Sequence, residues 1–84
     1  MFVLIAYDVP ADRCNKYHSL LSKYLLHKQN SLFEGTISEK KYKELLEKIN
    51  SILIIDDRIC IYKLDSLKYV SIEKLGNKHE SFIV

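Results

Sequence analysis

Six consecutive apolar residues, Phe2-Val3-Leu4-Ile5-Ala6-Tyr7, run unbroken and stop at Asp8. Val, Ile, Phe and Tyr favour a pleated backbone, and apolar residues on both alternating faces mark a strand covered on each side. The run predicts a central strand, packed by helices on one face and by helices or a second subunit on the other. It is far shorter than the ~20 residues a membrane span requires, and it ends without a signal-peptide cleavage pattern. A cytoplasmic chain with no membrane partner is the expectation. With 84 residues the chain is one domain, 1–84, near the lower size at which a single core suffices, so a partner is expected to complete it.

Downstream, Val9-Pro10-Ala11-Asp12 supplies a turn and a helix start, and Tyr17, Leu20, Leu21, Tyr24 and Leu25 recur at helical spacing. They predict a helix over about 12–26. The stretch from Gln29 to Ile37 carries strand formers with Gly35 as a bend, as one kinked strand or two short ones. Ser38 before Glu39-Lys40-Lys41 is an N-cap, and Tyr42, Leu45, Leu46 and Ile49 share one face, which predicts a second helix over about 39–50. Residues 58–64 read as a strand, with shorter candidates at 69–75 and 81–84 around Gly76-Asn77. Strands alternating with two helices predict an α/β (α+β) fold, the ferredoxin-like βαββαβ sandwich with helices on one sheet face.

That plan leaves the other sheet face bare, with apolar residues such as Phe2, Leu4, Ile59 and Ile61 or their alternates upon it. A bare apolar face of that extent predicts a two-fold homodimer with sheets packed face to face. The terminal Phe82-Ile83-Val84 fits the same picture, as an extra strand over 81–84 added to the partner's sheet edge.

Composition removes several function classes. Only Gly35 and Gly76 are present, so neither a Gly-rich phosphate loop nor a dinucleotide fingerprint exists. Cys14 and Cys60 are far apart, as are His18, His27 and His79, which argues against a disulfide framework or a zinc cluster. His18 and His27 share no helical face and are assigned no catalysis. Thirteen Lys and Arg against eleven Asp and Glu leave a net charge of +2, too little to announce a nucleic-acid partner by itself.

Asp8 is the leading candidate for chemistry. A carboxylate directly after a buried strand sits at the sheet's carboxyl end, where open α/β folds keep their sites. An Asx-turn or capping role, which Asp8-Val9-Pro10 also favours, is the competing reading. In a two-fold dimer Asp8 is presented twice, and two facing carboxylates suit Mg²⁺ or another divalent cation that takes oxygen ligands. Arg13, Lys16 and Lys23 along the first helix form, with Lys28, a candidate nucleic-acid-binding stripe. Asp12 reads as a helix N-terminal acid, Glu34 as exposed, and the alternating Lys and Glu residues of the second helix as a solvated face.

The chain also resembles the CRISPR-associated protein 2 family over about 80 residues. The resemblance is carried by Ala6-Tyr7-Asp8-Val9, Lys23-Tyr24, Gln29-Asn30-Ser31-Leu32-Phe33-Glu34-Gly35, Arg58-Ile59-Cys60-Ile61-Tyr62, Ile72-Glu73-Lys74-Leu75-Gly76 and the final Phe82-Ile83-Val84. It implies a ferredoxin-like homodimer with C-terminal strand exchange and Asp8 as the metal-binding, catalytic aspartate paired across the dimer axis. It further implies a metal-dependent endonuclease acting on single-stranded RNA or double-stranded DNA, or a DNA-bridging scaffold that docks CRISPR-associated protein 1 integrase subunits during spacer acquisition in antiviral defence. Tyr7, in the first of these segments, and Phe33, at the aromatic of the Ser-x-Phe segment, are candidate contacts, with a core role as the competing reading of Phe33. Where the family often carries an Arg-rich run, this chain has Arg13-Cys14-Asn15-Lys16, which favours the non-catalytic scaffold as the alternative.

Overall fold

Strand β1 (Phe2–Asp8) lies in the middle of a four-stranded antiparallel sheet in the computed structural model, which describes residues 1–64. Its neighbours are β3 (Leu32–Thr36) and β4 (Arg58–Leu64), and β2 (Leu26–Gln29) completes the order β2-β3-β1-β4. Helices α1 (Cys14–Ser22) and α2 (Glu39–Ile52) make the two crossovers, so the chain follows the split βαββαβ plan. The expected strands at 69–75 and 81–84, and the exchange of the tail, lie outside the described residues.

The pleat sorts β1 into two sides. Val3, Ile5 and Tyr7 enter the main core with Tyr17 and Leu21 of α1, Phe33 of β3, and Tyr42, Leu45 and Ile49 of α2. Phe2 and Leu4 turn the other way and pack with Leu32, Ala6 and Leu64. This second cluster is already buried within one chain, so the face is less bare than expected. Leu26 and Tyr62 remain exposed at 71% and 42%. Ile59 and Ile61 pack against the helix-covered core rather than on the open face, because their register opposite Tyr7 and Ile5 fixes their side.

The first helix ends sooner than its apolar spacing predicts. A single 3-10 turn over Ala11–Arg13 precedes α1, and after Ser22 the chain leaves the helix with the amides of Tyr24 and Leu25 both donating to the Leu21 carbonyl, at 3.0 and 2.9 Å. Leu25 is buried all the same, delivered to the core by a turn. Gly35 is part of the reason: a Cβ at that position would stand 3.1 Å from Leu25 Cδ2. The next segment is two strands, and the reversal falls at Asn30, with φ 43°, instead of at Gly35, which pairs with Val3 inside β3. Asn tolerates the left-handed backbone that such a reversal needs.

Helix α2 starts as expected, with the Lys41 amide donating to Ser38 Oγ at 3.2 Å. It runs to Ile52, and the loop after it is held by Asp57. Among the described residues no helix is long and apolar enough to cross a membrane.

Candidate functional site

The antiparallel register of β1 with β4 puts Asp8 directly opposite Arg58, on the side of the sheet away from the helices. Both side chains are exposed. They sit at the rim of an open depression of about 450 Å³ at the carboxyl end of β1, lined also by Ala6, Tyr7, Ser31, Ile59 and Cys60. Among the described residues no hydrogen bond or ion pair engages the Asp8 carboxylate. The register thus puts a carboxylate, which can serve as an oxygen ligand, and an arginine, which can fork onto a phosphate, on neighbouring strands at one end of the sheet.

The donor set limits which ion fits. One chain offers one carboxylate, and the described residues contain no grouping of three or more His, Cys, Asp or Glu side chains that could hold a metal. Mg²⁺ is commonly held by one or two carboxylates together with waters and substrate phosphates. Asp8, with Arg58 across the ladder for the phosphate, fits that pattern; it does not fit an ion that needs an all-protein cage.

Tyr7 precedes Asp8 but points the opposite way. It is buried and stacks on Tyr17 with ring centroids 5.6 Å apart. Burial, with Cys14 nearby, pushes its phenol above the usual value, so Tyr7 stays neutral at physiological pH. Phe33 is fully buried between Tyr7, His18 and His27, in the core position that the competing reading describes.

The basic stripe is divided. Arg13 folds back into the protein, its Nε 3.0 Å from both carboxylate oxygens of Asp57 and its terminal nitrogen 2.8 Å from Oδ2, with a further bond to the Ile52 carbonyl. Tyr17 donates to the same carboxylate at 2.6 Å and the Ile54 amide at 3.2 Å. The Asp57 side chain is entirely buried. Its hydrogen bonds, those from Arg13 foremost, hold its pKa down at about 2 against the opposing effect of burial. Arg13 is therefore a structural residue in this chain, where the sequence predicts a phosphate contact.

Lys16 and Lys23 do come together. They line a groove of about 290 Å³ between the two helices with Ser19 and Leu20 of α1 and Lys48, Ser51 and Ile52 of α2. Lys48 lies 5.4 Å above the Tyr24 ring and 3.6 Å from Glu44, and Tyr24 donates to Glu44 at 3.1 Å. Lys28 is elsewhere: it sits on β2, 3.8 Å from Glu34.

Sequence reasoning missed three of these residues. Lys48 was absorbed into an alternating-charge helix face, and only the packing of α2 on α1 brings it beside Lys16 and Lys23. Asp57 carried no periodic signal. Arg58 is placed opposite Asp8 by the β1–β4 register, which the sequence alone does not record. Arg13 and Arg58 are the only arginines in the chain, and each faces an aspartate.

Comparison with known proteins agrees with this architecture. The family described as CRISPR associated protein Cas2 matches residues 1–72. A protein of Methanosarcina acetivorans named CRISPR-associated endoribonuclease Cas2 is 35% identical over 77 residues, covering 90% of this chain and 88% of that protein. A protein of the same name from Dictyoglomus turgidum is 36% identical over 87 residues, covering 99% and 100%. Among solved structures, one described as a crystal structure of Cas2 superposes with TM-score 0.85 at 36% identity, covering 96% of this chain and 91% of the other. Streptococcus pyogenes Cas2 at pH 6.5 superposes with TM-score 0.79 at 26% identity, covering 90% and 100%.

Proposed function

Because the chain belongs to the CRISPR-associated protein Cas2 family, we propose that it acts in spacer acquisition as a homodimer that binds nucleic-acid phosphates and bridges integrase subunits, with Mg²⁺-dependent phosphodiester hydrolysis at Asp8. The observation that carries the nuclease reading is the exposed Asp8 carboxylate at the end of the central strand, opposite Arg58 in an open depression. The relatives named endoribonucleases support hydrolysis and favour RNA as the substrate tested first.

In this reading Asp8 of each subunit faces the two-fold axis and supplies the oxygen ligands for the ion. The ion, when bound, acidifies a coordinated water and offsets charge developing on the phosphoryl oxygens. Arg58 donates its paired N–H groups to phosphate oxygens and fixes the backbone against the carboxylate. Tyr7, buried on the helix side and stacked on Tyr17, anchors the end of β1 next to Asp8. Lys16, Lys23 and Lys48 offer point charges to more distant phosphates, which gives sequence-tolerant, salt-sensitive binding.

A second reading keeps the binding and drops the hydrolysis. It is favoured by Arg13, which is committed to Asp57, and by the groove lysines, which suit a duplex held as a scaffold. Labelled single-stranded RNA and duplex DNA, incubated with the purified protein in Mg²⁺, in EDTA, and as Asp8→Ala, separate the two. Cleavage that needs Mg²⁺ and is lost in Asp8→Ala supports the enzyme. Salt-sensitive duplex binding without any cleavage leaves the scaffold, and cleavage undiminished in Asp8→Ala rules out Asp8 as the catalytic group.

A further inference from the structure

Away from the Asp8 depression and the lysine groove, His18 of α1 and His27 of β2 come together. Their sequence separation places them on no common helix face, yet the turn after Ser22 carries β2 back alongside α1. The rings end 4.8 Å apart between centroids, with planes inclined at 70°. Both side chains are exposed, and both rest on Phe33, whose ring is 5.3 Å from His18 and 4.9 Å from His27. Phe33 is fully buried, so the floor beneath the pair is fixed.

Hydrogen bonding sets which nitrogen of each ring is available. His27 Nε2 is 2.7 Å from the Asn30 carbonyl oxygen. A carbonyl can only accept, so Nε2 carries the proton and the Nδ1 lone pair is left for another partner. The acceptor is held by the hairpin reversal at Asn30. On α1, Ser22 Oγ donates its proton to the His18 carbonyl at 2.6 Å, which leaves that oxygen to accept from His18 Nδ1 at 3.5 Å. In the tautomer whose Nδ1–H faces the Ser22 oxygen, the Nε2 lone pair of His18 is the available one. Metal-ligating histidines have this arrangement, the far N–H directed at an oxygen that orients the ring.

The spacing agrees. With a metal–nitrogen bond of about 2.1 Å, two imidazoles on adjacent positions of one ion have centroids about 4.5–5.2 Å apart. We propose that His18 and His27 form a two-imidazole clamp for a divalent transition-metal ion such as Zn²⁺, tying α1 to the β2–β3 hairpin. Water, or a donor group of a bound partner, fills the remaining positions. Imidazole selects Zn²⁺, Cu²⁺ or Ni²⁺ over Mg²⁺, so the clamp is chemically separate from the carboxylate at Asp8 and independent of the nuclease reading.

Titration of the metal-free protein with ZnCl₂, followed by imidazole nitrogen NMR, tests the clamp directly. One equivalent is expected to shift His27 Nδ1 and His18 Nε2 while the His27 Nε2–H signal persists. In calorimetric titrations His18→Gln and His27→Gln are each expected to weaken Zn²⁺ binding at least about tenfold, with unchanged circular dichroism in the absence of metal. Unmoved resonances for these two rings, or either variant binding as tightly as the parent chain, would overturn the proposal. The spectra of the unsubstituted chain decide the matter even if a variant folds poorly.

Discussion

Asp8 and Asp57 are near neighbours with opposite fates. Asp8 ends β1 opposite Arg58, and Asp57 is the residue just before Arg58, so the two carboxylates differ by one step along the edge of the sheet. Asp57 goes to the helix side, where Arg13, Tyr17 and the Ile54 amide surround it. Asp8 goes to the open side and stays exposed. A buried carboxylate persists only when its oxygens are satisfied. Once satisfied it is fixed, closed to ligands, and committed to stability. An exposed carboxylate on a rigid strand end adds little to stability and keeps its lone pairs for an ion. The pleat thus separates a structural acid from the one proposed to act on a ligand.

The comparison places stability on the helix-covered side, and its largest test is Phe33→Ala. Removing a fully buried aromatic is expected to cost about 3–5 kcal/mol, read from urea midpoints. On the open side, Leu26→Ser is expected to change stability by less than about 0.5 kcal/mol. Equal losses would erase the difference between the two sides.

Acid sharpens it further. Asp57 has its folded-state pKa depressed to about 2, so the unfolded chain binds more protons at low pH and stability rises with pH. Its contribution is complete above the ordinary carboxylate range near pH 4 and is lost as pH falls through about 2. Urea midpoints measured from pH 6 down to pH 2 are expected to fall more steeply for the parent chain than for Asp57→Asn, with the gap closing at the acid end. Parallel curves would mean that Asp57 is not held as an ionised, paired group. A smaller loss, about 1 kcal/mol, is expected for Ser38→Ala, which removes the α2 cap. The smallest effect belongs to Asp8→Ala, whose thermal midpoint is expected to match that of the parent chain.

Much of this architecture was legible because local preference and burial pointed the same way. β1 was written in its unbroken apolar run, β4 in residues 58–64, and α2 in its serine cap and its Tyr42, Leu45, Ile49 face. β2 was hidden. Leu26-His27-Lys28-Gln29 has little apolar alternation, and the strand exists through its pairing with β3. Tyr24 and Leu25 continued the helical rhythm although a turn delivers Leu25 to the core. At the site, Asp8 stood out from strand position alone. The loss of Arg13 from the basic stripe was invisible, because nothing local ties Arg13 to Asp57, 44 residues away. Meetings between distant polar residues are fixed by packing, and no periodic pattern records them. His18 and His27 are a second instance, brought edge to face by a turn that their spacing does not reveal.

The most direct test of the division between the two acids measures both outputs on both variants. Asp8→Asn and Asp57→Asn are compared with the parent chain for thermal midpoint and for Mg²⁺-dependent cleavage of labelled RNA per folded molecule. The expected result is a crossed pattern: Asp57→Asn melts earlier and cleaves normally while folded, and Asp8→Asn melts normally and does not cleave. Cleavage retained in Asp8→Asn, or lost in folded Asp57→Asn with stability intact, would contradict the assignment.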